Sequence, residues 1–205
     1  MVTVIDYGAG NIQSVMNALR FIGCEAVLAD DPKALKNSKA VLLPGVGSFG
    51  DAMANLKKRG FATAIQEWTA ADKPFLGICL GMQVLFESSE ESPGIEGLGI
   101  LKGKFKKFPA NLGVKVPHIG WNSLDVKNDS GIFDGLPENP YVYFVHSYYL
   151  QAEEPIVSAR ADYGIPFDAA VQKGNLWACQ FHPEKSGETG IAMLKNFSAA
   201  MNREG

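Results

Sequence analysis

Three short stretches of this chain combine residue types that could do chemistry together. Cys79 sits in Gly77-Ile78-Cys79-Leu80-Gly81-Met82-Gln83. Glycines two positions before and two after a nucleophile mark a strand-to-helix elbow, where small neighbours let a strained turn push the reactive atom into the open. His182 and Glu184 share the stretch Gln180-Phe181-His182-Pro183-Glu184-Lys185-Ser186. In extended backbone, residues two apart point the same way, so Glu184 can orient the His182 imidazole and stabilise its cation. A third stretch, Pro44-Gly45-Val46-Gly47-Ser48-Phe49-Gly50, can aim backbone N–H groups at a developing oxyanion, although a plain glycine-rich turn fits that segment equally well.

Cysteine acts as the thiolate, and a free thiol ionises near pH ~8.5. Attack at neutral pH therefore calls for an imidazolium partner and for the positive end of the helix expected after Leu80. The other two histidines are weaker candidates. His146, within Tyr143-Phe144-Val145-His146-Ser147-Tyr148-Tyr149, reads as a buried residue or a pocket wall, and His118, between Pro117 and Ile119, has no neighbouring carboxylate. Histidines this scattered, with no Cys-x-x-Cys spacing, give no expectation of a metal site. Cys24 and Cys179 lie in strand-like apolar runs and are expected in the core, because a buried free thiol behaves as a small hydrophobe.

These residues need a scaffold. Apolar runs at 2–6, 25–29, 40–43 and 74–78 alternate with helical patterns at 12–22, 51–58 and 61–70, which predicts a mainly parallel sheet with helices on both faces. Tyr7-Gly8-Ala9-Gly10 reads as a turn and Asn11 as the cap of the first helix. Gln13 stands where a dinucleotide fingerprint needs glycine or alanine, so that reading fails. The helix after Cys79 is expected to run to about Phe86. Beyond a polar loop at 88–94, the second half is mostly short β-like runs (99–108, 119–126, 141–150, 156–162, 167–172, 176–181), closing with a helix capped by Ser186. Their connections are too short for crossover helices, so antiparallel strands are expected to extend the sheet. The fold class is thus α/β, an open mixed sheet in a single domain over 1–205.

Bulk properties exclude several function classes. A net charge of −3, with no Lys/Arg block longer than the three residues Lys57-Lys58-Arg59, argues against nucleic acid as a partner. Neither a leader-like start nor a membrane-length apolar run is evident, which predicts a cytoplasmic protein with no membrane contact. Three distant cysteines give no disulfide framework.

The elbow and the His-Pro-Glu segment together resemble the class I (triad-type) glutamine amidotransferases. Within them, five motifs are similar to the glutaminase subunits of imidazole glycerol phosphate synthase: Asp6-Tyr7-Gly8-Ala9-Gly10-Asn11, 44–50, Pro117-His118-Ile119-Gly120-Trp121-Asn122, 143–148 and 182–186. The resemblance spans the whole chain, with segments 88–97 and 125–139 carrying no assignable motif. It implies that Cys79, His182 and Glu184 form the triad, and that N–H groups of Leu80 and of Val46 and Gly47 form the oxyanion hole. It further implies that Gln83, Ser147 and Tyr148 hold glutamine, that no cofactor is used, and that ammonia passes to a (β/α)8-barrel synthase docked near Asn11, His118, Trp121 and Lys185. Two alternatives are the glutaminase subunit of another amidotransferase and a stand-alone cysteine γ-glutamyl hydrolase. A non-catalytic flavodoxin-like module would leave Cys79 a mere turn thiol.

Overall fold

Strand β1 (Val2–Ile5) places Val2 and Val4 on one side of a sheet and Ile5 on the other, and all are fully buried. A central strand must be covered on both faces to read this way. The computed structural model describes residues 1–8, 11–127 and 130–201. Ala9 and Gly10 of the expected first turn lie outside them.

The first half follows the alternation of the sequence. After β1 come α1 (Ile12–Phe21), β2 (Ala26–Ala29), a 3-10 turn (Pro32–Asn37), β3 (Ala40–Leu43), α2 (Phe49–Lys58), α3 (Phe61–Ala70) and β4 (Phe75–Ile78). The second half comprises α4 (Leu80–Gln83), β5 (Ser88–Ser89), β6 (Gly103–Lys107), β7 (His118–Ser123), β8 (Asp125–Val126), β9 (Tyr141–His146), β10 (Tyr148–Ala152), β11 (Val157–Asp162), β12 (Pro166–Lys173), β13 (Leu176–Cys179) and α5 (Gly187–Ala200).

The main sheet runs β2-β1-β3-β4-β13-β12-β10-β6-β5, parallel from β2 to β13 and antiparallel from β13 to β6. Antiparallel strands therefore do extend a parallel sheet. One departure is that β7 and β9 pair with each other in a separate two-stranded sheet. Its inner face, with His118, Phe144 and His146, packs on the core, and its outer face leaves Ile119, Trp121 and Tyr141 exposed. One core cluster lies under α1, α5 and this second sheet, and the other under α2 and α3.

Strand order reverses direction between β1 and β3, and at such a switch point the loops beyond the carboxyl ends leave a crevice. The loops after β1, β3, β4 and β13 open on this edge. They carry Tyr7 and Asn11, Gly45 to Ser48, Cys79, and Gln180 to Ser186 respectively.

Two expectations about helix ends are corrected. Helix α4 is a single turn, not an element reaching Phe86, because the carbonyls of Val84 and Leu85 accept from Leu98, Ile100 and Leu101 rather than from further helical turns. Ser186 occupies the N-cap position of α5 but makes no side-chain cap. Its hydroxyl instead donates to the His182 carbonyl at 2.7 Å and accepts from the Tyr143 N–H at 3.0 Å, tying the histidine segment to β9.

Candidate active site

Cys79 has φ 55° and ψ −111°, a conformation that costs a non-glycine residue about 1–3 kcal/mol. Its flanking glycines explain how the turn is tolerated. A Cβ on Gly77 would lie 2.8 Å from the Gly81 carbonyl, and one on Gly81 would collide with the Leu43 carbonyl. The Cys79 N–H donates to Cys179 in β13 at 2.8 Å, which fixes the elbow to the strand that delivers the histidine.

His182 follows β13, and its Nδ1 lies 2.8 Å from Glu184 Oε1. Glu184 does not reach it along an extended strand, as the two-residue spacing suggested. Pro183–Lys185 forms a 3-10 turn, and this turn brings the carboxylate back under the ring. Burial works against a charged His182, but hydrogen bonds to Cys79 and Glu184 and their negative charges prevail, raising its pKa to about 10. The surroundings thus favour the imidazolium form of His182, beside the sulfur it serves.

Asn11 does not cap the first helix with its side chain, as the sequence suggested it would. It adopts a left-handed conformation at the start of α1. Its Nδ2 donates to Glu184 Oε1 at 2.8 Å, so it holds the triad carboxylate from behind. His118 is also displaced from its expected surface position. It is 2% exposed, stacked between Phe144 and Tyr163, with Nδ1 3.0 Å from His146 Nε2. His146 Nδ1 lies 2.8 Å from the carbonyl oxygen of Tyr148, so this histidine pair braces the pocket wall. Burial lowers the pKa of His118 to about 4 and, as the largest of several causes, that of His146 to about 3.

An open pocket of about 320 Å³ reaches Cys79 and His182 and gathers Val46, Gly47, Leu80, Gln83, Ser147 and Tyr148 around them. Every residue expected to form the oxyanion hole or to hold glutamine therefore lines one cavity. Lys185 lines its rim and is exposed, and Trp121 is 55% exposed on the outer face of the second sheet, against Tyr143. Among the described residues, no group of three or more His, Cys, Asp or Glu side chains could hold a metal ion, and no helix is long and apolar enough to cross a membrane.

Sequence reasoning missed four contributors. Gln180 donates from Nε2 to Cys79 Sγ at 3.5 Å. Its position two residues before His182, on an extended run, was the available signal. Glu91 and Ser92 accept from the first N–H groups of α2, Phe49 at 2.7 Å and Gly50 at 3.0 Å, so part of the unassigned 88–97 segment anchors the end of the oxyanion loop. Tyr7 packs its buried hydroxyl against Gly45, where a Cβ would collide with it. In the other unassigned segment, Ile132 and Asp134 accept through their carbonyls from Asn196 of α5, which is structural support.

An elbow cysteine with a charged histidine and a buried carboxylate, on the carboxyl edge of a mixed α/β sheet, defines a triad enzyme that cleaves an amide through a thioester. The chain belongs to the class-I glutamine amidotransferases, whose family pattern matches residues 3–201. More narrowly, it is 50% identical over 198 residues to the imidazole glycerol phosphate synthase subunit HisH of Caldanaerobacter subterraneus subsp. tengcongensis, covering 96% of this chain and 97% of that one. The HisH subunit of Desulfitobacterium hafniense is 46% identical over 205 residues, covering 100% and 96%. The fold is shared at low identity by a solved glutamine amidotransferase (TM-score 0.77, 20% identity, covering 98% of this chain and 100% of that one). PurLQS from Thermotoga maritima shares it too (TM-score 0.75, 22% identity, 96% of each).

Proposed function

We propose that this chain, acting as one domain in the cytoplasm, is the HisH-type glutaminase subunit of an imidazole glycerol phosphate synthase. The observation that carries the mechanism is the line Cys79, His182, Glu184, with the histidine held as a cation next to the sulfur.

The Cys79 thiolate attacks the side-chain carboxamide of glutamine, and the resulting oxyanion is received by backbone N–H groups of Leu80 and of Val46 or Gly47. His182 gives its proton to the departing ammonia, leaving a γ-glutamyl thioester. It then takes a proton from the water that releases glutamate. Glu184, steadied by Asn11, keeps the imidazole aligned through both steps. Gln83, Ser147 and Tyr148 hold the amino-acid end of the substrate.

Free ammonia is protonated and diluted by water, so it is handed directly to a partner. That partner is a (β/α)8-barrel synthase, which joins the ammonia to a phosphoribosyl-type intermediate to make imidazole glycerol phosphate and aminoimidazole carboxamide ribotide in histidine biosynthesis. The exposed face of the β7–β9 sheet supports a docking surface beside the pocket. Trp121 with Ile119 and Tyr141 supplies its apolar part, and Lys185 at the pocket rim supplies charge. Exposed aromatic residues grouped in this way are characteristic of contact surfaces.

The test is co-purification with a barrel synthase, followed by glutaminase assay of the complex with acceptor ligand present. A stable complex whose ammonia is consumed without escaping to solution is the expected result. Substantial glutaminase activity alone with no complex would favour the stand-alone hydrolase.

A further inference from the structure

Gln180 has a fully buried side chain with both ends of its amide engaged. Nε2 donates to Cys79 Sγ at 3.5 Å, and Oε1 accepts from Gln83 Nε2 at 3.1 Å. We propose that Gln180 is a further catalytic residue of this glutaminase, an amide donor that holds the Cys79 thiolate and, through its other end, fixes which way Gln83 faces the substrate. The inference rests on Cys79 being the nucleophile.

The argument is one of donors and acceptors. A thiolate can only accept, so the end of Gln180 turned to it must be the NH2 group. That leaves Oε1 facing away from the sulfur in a place water does not reach, and a buried carbonyl oxygen needs a donor. Gln83 supplies it with its own NH2 group. Since Gln83 lines the pocket, the end it has left is a carbonyl oxygen, an acceptor suited to an N–H group of the bound glutamine. The charge on one sulfur thus sets the polarity of two glutamines in series. The chain Cys79, Gln180, Gln83 runs from the reacting atom to the binding wall.

During the reaction this donor acts when the sulfur is charged, in the free enzyme and again when the thioester collapses and the thiolate departs. His182 is then free to pass its proton to ammonia or to receive one from water, because it is not the sulfur's sole support. The bond broken is the carbon–nitrogen bond of the carboxamide and then the carbon–sulfur bond of the thioester. Gln180 transfers no proton in either step.

The test compares Gln180→Glu and Gln180→Met in the complex with the barrel synthase and acceptor ligand, with Cys79→Ser as control. Glutamate has nearly the shape of glutamine but turns an oxygen toward the sulfur, whereas methionine keeps the volume and removes both hydrogen bonds. A donor role predicts that Gln180→Glu is the more damaging, lowering kcat by about a hundredfold with KM moving less than about threefold. Gln180→Met is expected to lower kcat less and to raise KM, because Gln83 loses its anchor. Were Gln180 a space-filler, Gln180→Met, which keeps the volume and buries no charge, would leave kcat and KM at their wild-type values, and that result overturns the proposal. A second readout leaves Gln180 in place. Its side-chain amide resonances, followed by NMR, should move when Cys79→Ala removes the sulfur, and resonances that stay put overturn the proposal even where a Gln180 variant does not fold. Activity surviving in Cys79→Ser would instead remove Cys79 as the nucleophile, a separate failure.

Discussion

The peptide N–H of Leu80 donates to the carbonyl oxygen of Gly45 at 3.3 Å. One expected donor of the oxyanion hole is therefore occupied by the loop that should complete the hole. Opening it requires the peptide after Gly45 to turn, and Gly47, with φ 108°, supplies a neighbouring hinge that other residues do not readily adopt. If the synthase and its acceptor ligand favour the turned loop, glutaminase turnover will rise when both are added. Equal rates for the isolated chain and the liganded complex would show that the hole is not gated.

Gly45 has no room for a side chain. A Cβ there would collide with the Tyr7 hydroxyl and lie 3.0 Å from Leu80 Cβ. Gly45→Ala should cost about 1–3 kcal/mol by overpacking, seen as a lower midpoint in urea unfolding, and should depress kcat more than KM because the loop is displaced. An unchanged midpoint would mean that the loop relaxes freely.

The Tyr7 hydroxyl is buried with no hydrogen-bond partner among the described residues. Its ionisation is pushed well up, mainly by burial and further by the negative charge of Cys79. Removing such a group relieves a desolvation cost of about 1–3 kcal/mol. Tyr7→Phe is expected to match or exceed the wild-type melting temperature. A clear drop would reveal a partner for the hydroxyl.

Asn11 and Glu184 give an ordered pair of effects on rate. Asn11→Ala leaves the carboxylate without its second anchor and should lower kcat about tenfold, whereas Asn11→Asp sets a like charge against Glu184 and should lower it further. Steady-state glutaminase kinetics of the complex decide the order. If both variants match the wild type, the contact contributes packing alone.

The histidines set opposite limits on stability against pH. His118 and His146 are lowered in the fold, so they contribute stability above about pH 6.5 that is lost as pH falls toward their folded values of about 4 and about 3. His182 is raised, so its contribution is full below about pH 6.5 and disappears as pH rises through about 10. Melting temperature should therefore fall on both flanks of neutrality. His146→Gln should flatten the acid flank, and Glu184→Gln the alkaline one, when melting is followed across pH. Flanks indifferent to both substitutions would assign the transitions to other groups.

Much of this was determined by sequence alone, for a local physical reason. Apolar alternation and glycine spacing act over a few residues, so β3 over 40–43, α3 over 61–70, the elbow at Cys79 and the pairing of His182 with Glu184 were all legible. So was the extension of a parallel sheet by antiparallel strands, because short connections leave no room for crossover helices. What tertiary structure decided are contacts between residues far apart in the chain. Asn11 looked like a helix cap until the fold brought Glu184 within 2.8 Å. His118, set near the docking face by the resemblance alone, is buried where Tyr163 and Phe144 close over it. The helix after Leu80 looked long until residues 98–101 took its carbonyls. Each of those competing hydrogen bonds or stacks comes from another element, and no local periodicity records where that element will fold.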